Sequence, residues 1–258
     1  MSGRTLLKYW WRSGSLRFAR DADPAARTRA RGVHVWHGKP IHYRPGTSDT
    51  ELIYKVLLKS GANAEYAVPD WLKPQVIFDI GANIGTASIY FAHHFPNARI
   101  CAFEPVPENV ELLRLNTAGY PNVTVFPVAL GTSDGTVEIF GSDNPLNFGG
   151  FSFYEAGSTS NRKVRVQRRN VKELLREQGI DRVDLIKIDA EGAEHEILTA
   201  FAQDILSQSQ WITGELHGEK DFDLLAYLSQ WFDIAAKRSM GKRLFMFAGA
   251  NKSYAEKI

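Results

Sequence analysis

Four short stretches of this 258-residue chain set glycines, acids and a histidine where apolar runs end. The first is VIFDIGANIGTAS, an apolar run that closes on Asp79 and turns through Gly81-x-Asn83-x-Gly85. Glycines there allow a tight turn and let a ligand approach the backbone, and the helix that follows offers unpaired N–H groups. A dinucleotide fingerprint, G-x-G-x-x-G, needs a third glycine for helix–strand packing beside a pyrophosphate. Position 86 is a threonine, so the spacing argues against NAD. The second stretch ends in Glu104, 23 residues after Gly81. An acid at that place accepts both hydroxyl donors of a ribose. A lone carboxylate at the tip of an apolar strand is costly unless it is exposed or bonded, which favours a ligand role. Turn and acid together imply a cofactor that contains adenosine.

The third stretch, KIDAEGAEHEIL, brings Asp189 and Glu191 to the end of another apolar run, with Gly192 opening a helix. Asp189 emerges at the same edge as the glycine turn. Glu191 also suits a helix N-terminus, where the macrodipole favours an acid. The fourth, GELHG, adds Glu215 and His217, which face one side of a strand. Histidine is a candidate general base because its ordinary pKa lies near neutrality, although a histidine at a strand end is as often structural. Asp189, Glu191, Glu215 and His217 together offer oxygen and imidazole ligands for a divalent metal. The sequence does not separate that chemistry from a plain carboxylate or imidazole base, and the expectation here is of no metal.

These residues need a scaffold that brings strand ends to one edge. Apolar runs at 76–80, 98–104, 123–130, 181–189 and 211–216 alternate with helical stretches at 86–95, 108–116, 193–201 and 221–232. Such alternation predicts βαβ units and a mostly parallel sheet. Two further runs, 233–237 and 243–249, leave no room for a crossover helix, so the last strand runs antiparallel. Between 131 and 170 the alternation lapses into a turn, a strand, a loop and another strand. That insertion sits above the carboxyl edge of the sheet, where open α/β sheets bind ligands. Its loop interleaves Phe148, Phe151, Phe153 and Tyr154 with Asn147, Gly149, Gly150 and Ser152. Aromatics beside glycines and small polar groups suit a sugar or hydroxylated ring, or simply seat the loop on the domain. Asn147, Phe148, Phe151, Ser152 and Tyr154 are the acceptor-binding candidates.

Residues 1–70 read as a preface to a domain at 71–258, with a small β element at 33–45 and a helix at 49–59. Residues 1–39 hold nine Lys and Arg against Asp21 and Asp23, a net +7, whereas the remainder holds 22 basic and 27 acidic residues, a net −5. That is either a solvated, partly disordered extension or an arm for a membrane surface, nucleic acid or acidic glycan, helped by Trp10, Trp11 and Phe18. The chain is 44% hydrophobic, 23% charged and 12% aromatic, ordinary values for a globular protein. Its length suffices to bury about 70–75% of the unfolded surface without metal or disulfide support. The single cysteine, Cys101, rules out an intramolecular disulfide and a Cys-based zinc cluster. With no run of about 18 apolar residues and no secretory signal, the expectation is a cytoplasmic protein without a transmembrane segment.

DIGANIG, AFEPVPEN and LIKIDAEGAE, in this order and with these gaps, resemble the FkbM family of S-adenosylmethionine-dependent methyltransferases. The resemblance covers residues 76–217. It implies the class I methyltransferase fold, a Rossmann-like seven-stranded sheet, here with an N-terminal extension. It further implies S-adenosyl-L-methionine as cofactor and O-methylation of a sugar, glycolipid, glycan or polyketide-type hydroxyl. Carried across, it puts Asp79, Gly81, Ala82, Asn83 and Gly85 around the methionine part of the cofactor. Glu104 then holds the ribose hydroxyls, and Pro105 and Asn109 shape that pocket. Where many such enzymes meet adenine with an acid, this chain has Val128-Ala129-Leu130, which leaves the contact to backbone near Ala129. Asp189 would position the methyl donor or orient the acceptor.

Base methylation of nucleic acid usually shows an [DN]-P-P-[YFW] box after the fourth strand. None follows 189, so nucleic acid is not the expected partner. Cys101 lies inside a strand, where a buried thiol is commoner than a nucleophile. The rival expectations are an NAD(P)-dependent oxidoreductase, or a non-catalytic binding protein of the same fold that docks through its basic arm.

Overall fold

The computed structural model describes residues 3–28, 30–61, 64–141, 151–152, 163–217, 220–238 and 245–257. Its N-terminal segment forms helices α1 (Gly3–Ser13) and α2 (Leu16–Asp21), then a hairpin of β1 (Gly32–Trp36) and β2 (Lys39–Tyr43). Helix α3 (Ser48–Leu52) follows and runs on as a π-helical stretch, Ile53–Leu58. Side-chain oxygens of Ser15 and Thr47 accept backbone N–H groups at the starts of α2 and α3, which fixes where those helices begin. The hairpin and the helix at 48–58 match the sequence reading. Helices α1 and α2 go beyond it, and Phe18 (1% exposed) anchors them against Tyr43 and Tyr9.

Strand–helix alternation then sets in. It runs β3 (Val76–Ile80), α4 (Thr86–His94), β4 (Arg99–Phe103), α5 (Pro107–Thr117) and β5 (Val123–Phe126). Pro107 occupies the first turn of α5, where its missing N–H costs nothing. After β5 come four short strands, β6 (Ala129–Gly131), β7 (Gly135–Gly141), β8 (Phe151–Ser152) and β9 (Lys163–Asn170). The alternation resumes with α6 (Val171–Glu177), β10 (Leu185–Ile188), α7 (Glu194–Ala200), α8 (Gln203–Gln208), β11 (Trp211–Leu216) and α9 (Asp221–Leu228). Strands β12 (Phe232–Arg238) and β13 (Phe245–Asn251) close the fold.

The main sheet has seven strands in the order β12-β13-β11-β10-β3-β4-β5. Its five βα strands are mutually parallel, and β13 pairs antiparallel with both β11 and β12. This is the class I methyltransferase-like sheet that the sequence implied. One strand differs. The run at 123–130 divides at Pro127, which has no N–H for a sheet ladder. Its first half stays as β5, and its second half leaves as β6 for a second sheet of order β6-β9-β7-β8.

Alternation along the strands sorts their side chains into two cores. Phe78, Cys101, Phe103, Ile186 and Ile212 face α6, α7, α8 and α9. Ile77, Ile100 and Leu185 face α4, α5 and the N-terminal segment, whose Phe18, Trp36, Tyr43 and Ile53 belong to the same core. The preface is therefore part of one layer of the sandwich. Chain order runs outward from β3 through β4 to β5, then jumps back to β10 and β11. The reversal lies between β3 and β10, the place where such sheets open a crevice beyond their carboxyl ends.

Candidate active site

Beyond β3 the chain turns through three residues with positive φ, Gly81 (74°), Asn83 (50°) and Gly85 (91°). Gly81 is required twice over. It adopts a left-handed conformation, and a Cβ there would stand 1.9 Å from the carbonyl oxygen of Asp189. The turn is tied to β4, because Gly81 N and Ala82 N both donate to Phe103 O, at 3.0 and 2.9 Å. Asn83 N donates to Glu104 Oε2 at 2.8 Å. The Asn83 side-chain oxygen is buried and has no hydrogen-bond partner among the described residues.

Asp79 lies beneath this turn, fully buried on the face toward α4. Its Oδ2 accepts from Ser88 Oγ at 2.6 Å. Its Oδ1 stands 3.1 Å from Lys187 Nζ, an ion pair set off the hydrogen-bonding direction. The Lys187 ammonium donates instead to Gly81 O (2.7 Å) and Ile80 O (3.2 Å). Burial works against that charge, but Asp79 and Asp189 outweigh it and hold the ammonium above its ordinary range. The resemblance set Asp79 around the cofactor's methionine. In the structure its carboxylate is occupied by Ser88 and Lys187, and it supports the turn from below. Lys187 was missed by the sequence reading, yet a lysine between isoleucines in LIKID is itself a signal, since a buried charge needs a partner.

Glu104 is 4% exposed. Its Oε1 accepts from Val106 N (2.8 Å) and Asn109 Nδ2 (3.4 Å), and its Oε2 accepts from Asn83 N. Burial pushes its carboxyl up, against the three hydrogen bonds and the Lys187 charge. With four lone-pair sites on a carboxylate, Oε2 keeps one for a further donor. Asn109 is held in turn by Arg44, which pairs with Asp49 at 2.8 Å, so the N-terminal segment props up the far side of the acid. Gly81, Glu104, Pro105, Ala129, Asp189 and Glu191 line one cleft, whose remaining wall is apolar (Val128, Leu130, Ile139, Ile197). Its free volume is about 50 Å³, well short of the roughly 300–1,000 Å³ of ligand pockets.

Past β10 the chain turns again at Glu191 (φ 49°) and Gly192 (φ 105°). Glu194, 1% exposed, holds this turn by accepting from Ala190 N (3.0 Å) and Gly192 N (2.9 Å). Its Oε1 also lies 3.0 Å from His217 Nδ1. The other ring nitrogen of His217 is 3.2 Å from Glu215, 3.8 Å from Glu191 and 3.9 Å from Asp189. The four expected residues thus converge, with Glu194 as an unforeseen fifth. Asp189 Oδ2 accepts from the hydroxyl of Tyr66 at 3.3 Å. Glu65 faces the same cluster. Burial and the charges of Glu215 and Asp189 push it up to about 7 against the pull of Lys55. No pattern around AEYAVP marks Glu65 or Tyr66 in advance.

The electrostatics of the cluster set its members apart. Burial alone would lower the His217 pKa, but hydrogen bonds to Glu194 and Glu215 and the charges of Asp189 and Glu191 raise it to about 12. The surrounding carboxylates thus favour the protonated ring. Glu191 moves the other way for a carboxyl. Burial and the charges of Asp189, Glu194 and Glu215 carry it to about 8, although His217 opposes them. Asp189, Glu191 and His217 lie within 4.8 Å of one another, a spacing that suits a metal ion. A cation would first have to displace the imidazolium proton that Glu194 or Glu215 now accepts.

Of the acceptor-binding candidates, Asn147, Phe148 and Tyr154 lie outside the described residues. Phe151 and Ser152 are described by backbone alone, as β8 paired with Gly141 and Phe140 of β7.

The strand order and the cleft at its reversal are those of a class I methyltransferase-like fold. Residues 79–244 match the family model of the methyltransferase FkbM domain, and the chain belongs to that family. It is 26% identical over 210 residues to the AMB antimetabolite synthetase AmbE of Pseudomonas aeruginosa, covering 67% of this chain and 10% of AmbE. It is 24% identical over 162 residues to the 2-O-methyltransferase NoeI of Sinorhizobium fredii, covering 57% of this chain and 65% of NoeI. A crystallised FkbM methyltransferase from Methylobacillus flagellatus superposes with a TM-score of 0.50 at 17% identity, covering 70% of this chain and 45% of that one. This last likeness is one of fold. The chain therefore spans a tenth of AmbE and less than two thirds of NoeI and of the crystallised protein.

Proposed function

We propose that the protein methylates a hydroxyl oxygen of a sugar, glycan, glycolipid or polyketide-type metabolite, with Glu191 as the proton acceptor. One observation carries this: Asp189 and Glu191 belong both to the cofactor cleft and to the acid cluster, so donor and proton acceptor meet at one strand end. The 2-O-methyltransferase name of NoeI supports oxygen as the acceptor atom.

The residues fit the cofactor. The unpartnered Asn83 oxygen suits an ammonium donor, and the free lone pair of Glu104 Oε2 suits a ribose hydroxyl. Gly81, Ala82, Asn83 and Gly85 would hold the methionine part, Pro105 and Asn109 would fix Glu104, and backbone near Ala129 would meet the adenine. The chemistry supplied by bound S-adenosylmethionine is in-line transfer of its sulfonium methyl group to oxygen. An alcohol is a weak nucleophile until it loses its proton, and a general base works best when its pKa lies near the working pH. Glu191, raised to about 8, meets that condition, whereas the His217 imidazolium does not. His217 steadies the surrounding carboxylates, and Asp189 keeps Glu191 basic.

A base must be ionised to act. The pH profile of kcat/KM should therefore rise with pH, bend near 8 and stay level above it. Glu191→Gln should lower turnover about 10²–10⁴-fold and abolish that bend, while S-adenosylhomocysteine still raises the melting temperature. Wild-type turnover from this variant would remove Glu191 as the base. Loss of the thermal shift as well would make Glu191 a cofactor-binding residue.

A further inference from the structure

Helix α1, GRTLLKYWWRS, buries no residue. It is held through Tyr9, which stacks on Tyr54 with ring centroids 4.4 Å apart, and at that edge Lys8 Nζ lies 5.5 Å from the Tyr54 ring centroid and Arg12 donates to Leu58 O at 3.4 Å. The side away from Tyr9 is open and apolar, and a basic strip beside it reaches round to the packed edge. At about 100° per residue, Leu7, Trp10 and Trp11 fall on one strip, and Arg4, Lys8 and Arg12 fall on the strip beside it. Leu7 is 56%, Trp10 46% and Trp11 82% exposed, and Leu16 at the start of α2 adds another exposed apolar side chain. Two indoles and two leucines held in water lose free energy that any apolar phase would return.

We propose that this face of α1 docks on an anionic phospholipid surface, with the tryptophans and leucines entering the headgroup–acyl boundary and the basic stripe lying among the phosphates. The arrangement is that of a helix lying in a membrane interface, where the indole ring offers an apolar body and an N–H. Charge complementarity selects the partner. The first 39 residues carry a net +7 and the rest a net −5, so an acidic bilayer attracts this end and repels the other. A second copy of the chain would bring two such basic ends together. A nucleic acid would match the charge and could stack on the indoles, but it offers nothing to Leu7 and Leu16. No helix among the described residues is long and apolar enough to cross a membrane, so the attachment is peripheral.

The test is partitioning of the full chain onto vesicles of about three parts phosphatidylcholine to one of phosphatidylglycerol, against pure phosphatidylcholine. Binding should appear on the anionic vesicles and fall steeply in about 0.5 M salt. Trp10→Ser/Trp11→Ser should melt as the wild type does, since both side chains are exposed, and should partition at least about tenfold more weakly. Arg4→Gln/Lys8→Gln should cost about 25-fold, the product of roughly fivefold for each lost charge. Absence of binding to anionic vesicles overturns the proposal. So does undiminished binding by the tryptophan variant, which would reduce the effect to bulk charge. Tighter binding to a short DNA duplex at equal salt would give the helix to nucleic acid instead.

Discussion

Lys187 shows how much of this site depends on residues that never face the cleft. Its ammonium holds two carbonyl oxygens of the glycine turn while offsetting Asp79. Replacing one member of a buried ion pair leaves the other charge uncompensated. Lys187→Met should therefore cost about 3–5 kcal/mol in urea unfolding, and Asp79→Asn/Lys187→Met should recover part of that. Equal loss in single and double variants would show that the pair is not what Lys187 contributes. At this scale the sequence displayed residue types and concealed their electrostatic states. Gly81, Glu104, Asp189 and Glu191 were legible because acids and glycines at the ends of apolar runs have few other uses. The support of Asp79 by Lys187 was not legible, because that partner is more than a hundred positions away in the chain. His217 was legible as a participant, but the upward push on its pKa was not, since Glu194 and Glu215 reach it only in the folded state.

Among the elements, the glycine turn and α4 behave as one part. Gly85 caps α4 in a left-handed conformation, and a Cβ there would approach Leu113 Cδ1 of α5 to 2.8 Å. Gly85→Ala combines backbone strain with that crowding, so it should destabilise by about 1–3 kcal/mol. The same variant should weaken S-adenosylhomocysteine binding, measured by calorimetry, because the turn carries Asn83. An unchanged midpoint and affinity would mean that the helix start shifts freely. The parallel strands and their helices were readable because hydrophobic runs and punctuating glycines repeat every βα unit. The parting of β5 from β6 was less so: Pro127 marks a break but does not say which sheet receives the next strand. Helix α1 escaped notice because none of its residues is buried, so no apolar face points to a core.

On the scale of the whole molecule, the cofactor should act as a clamp between halves that the sheet's reversal separates. Glu104 follows β4, and Glu191 follows β10, on the two sides of the crevice. A ligand at about 100 times its dissociation constant adds about 2.7 kcal/mol, which for a chain of this size means roughly 5–10 °C in melting temperature. S-adenosylmethionine and S-adenosylhomocysteine should give that shift, and NAD and NADP should not. Glu104→Ala should erase most of it. A shift with NAD alone would contradict the proposed chemistry and favour the oxidoreductase alternative. Fold class was legible at this scale from alternation and the closing strand pair. The sharing of one core between the N-terminal segment and the sheet was not, because charge composition set that segment apart while its few aromatics tied it in.

Gly81 touches the backbone of Asp189 so closely that no side chain fits between them. Any attempt to retrain this protein on a new acceptor meets that contact first. A library that randomises position 81 alone will return only glycine. One that lengthens 189–191 will drag the donor's cradle along with the proton acceptor. Useful diversity must enter from elsewhere, through the inserted strands β6–β9 and the segments that join them. There a change can reshape the surroundings of the cleft without moving the two strand ends on which the proposed chemistry rests.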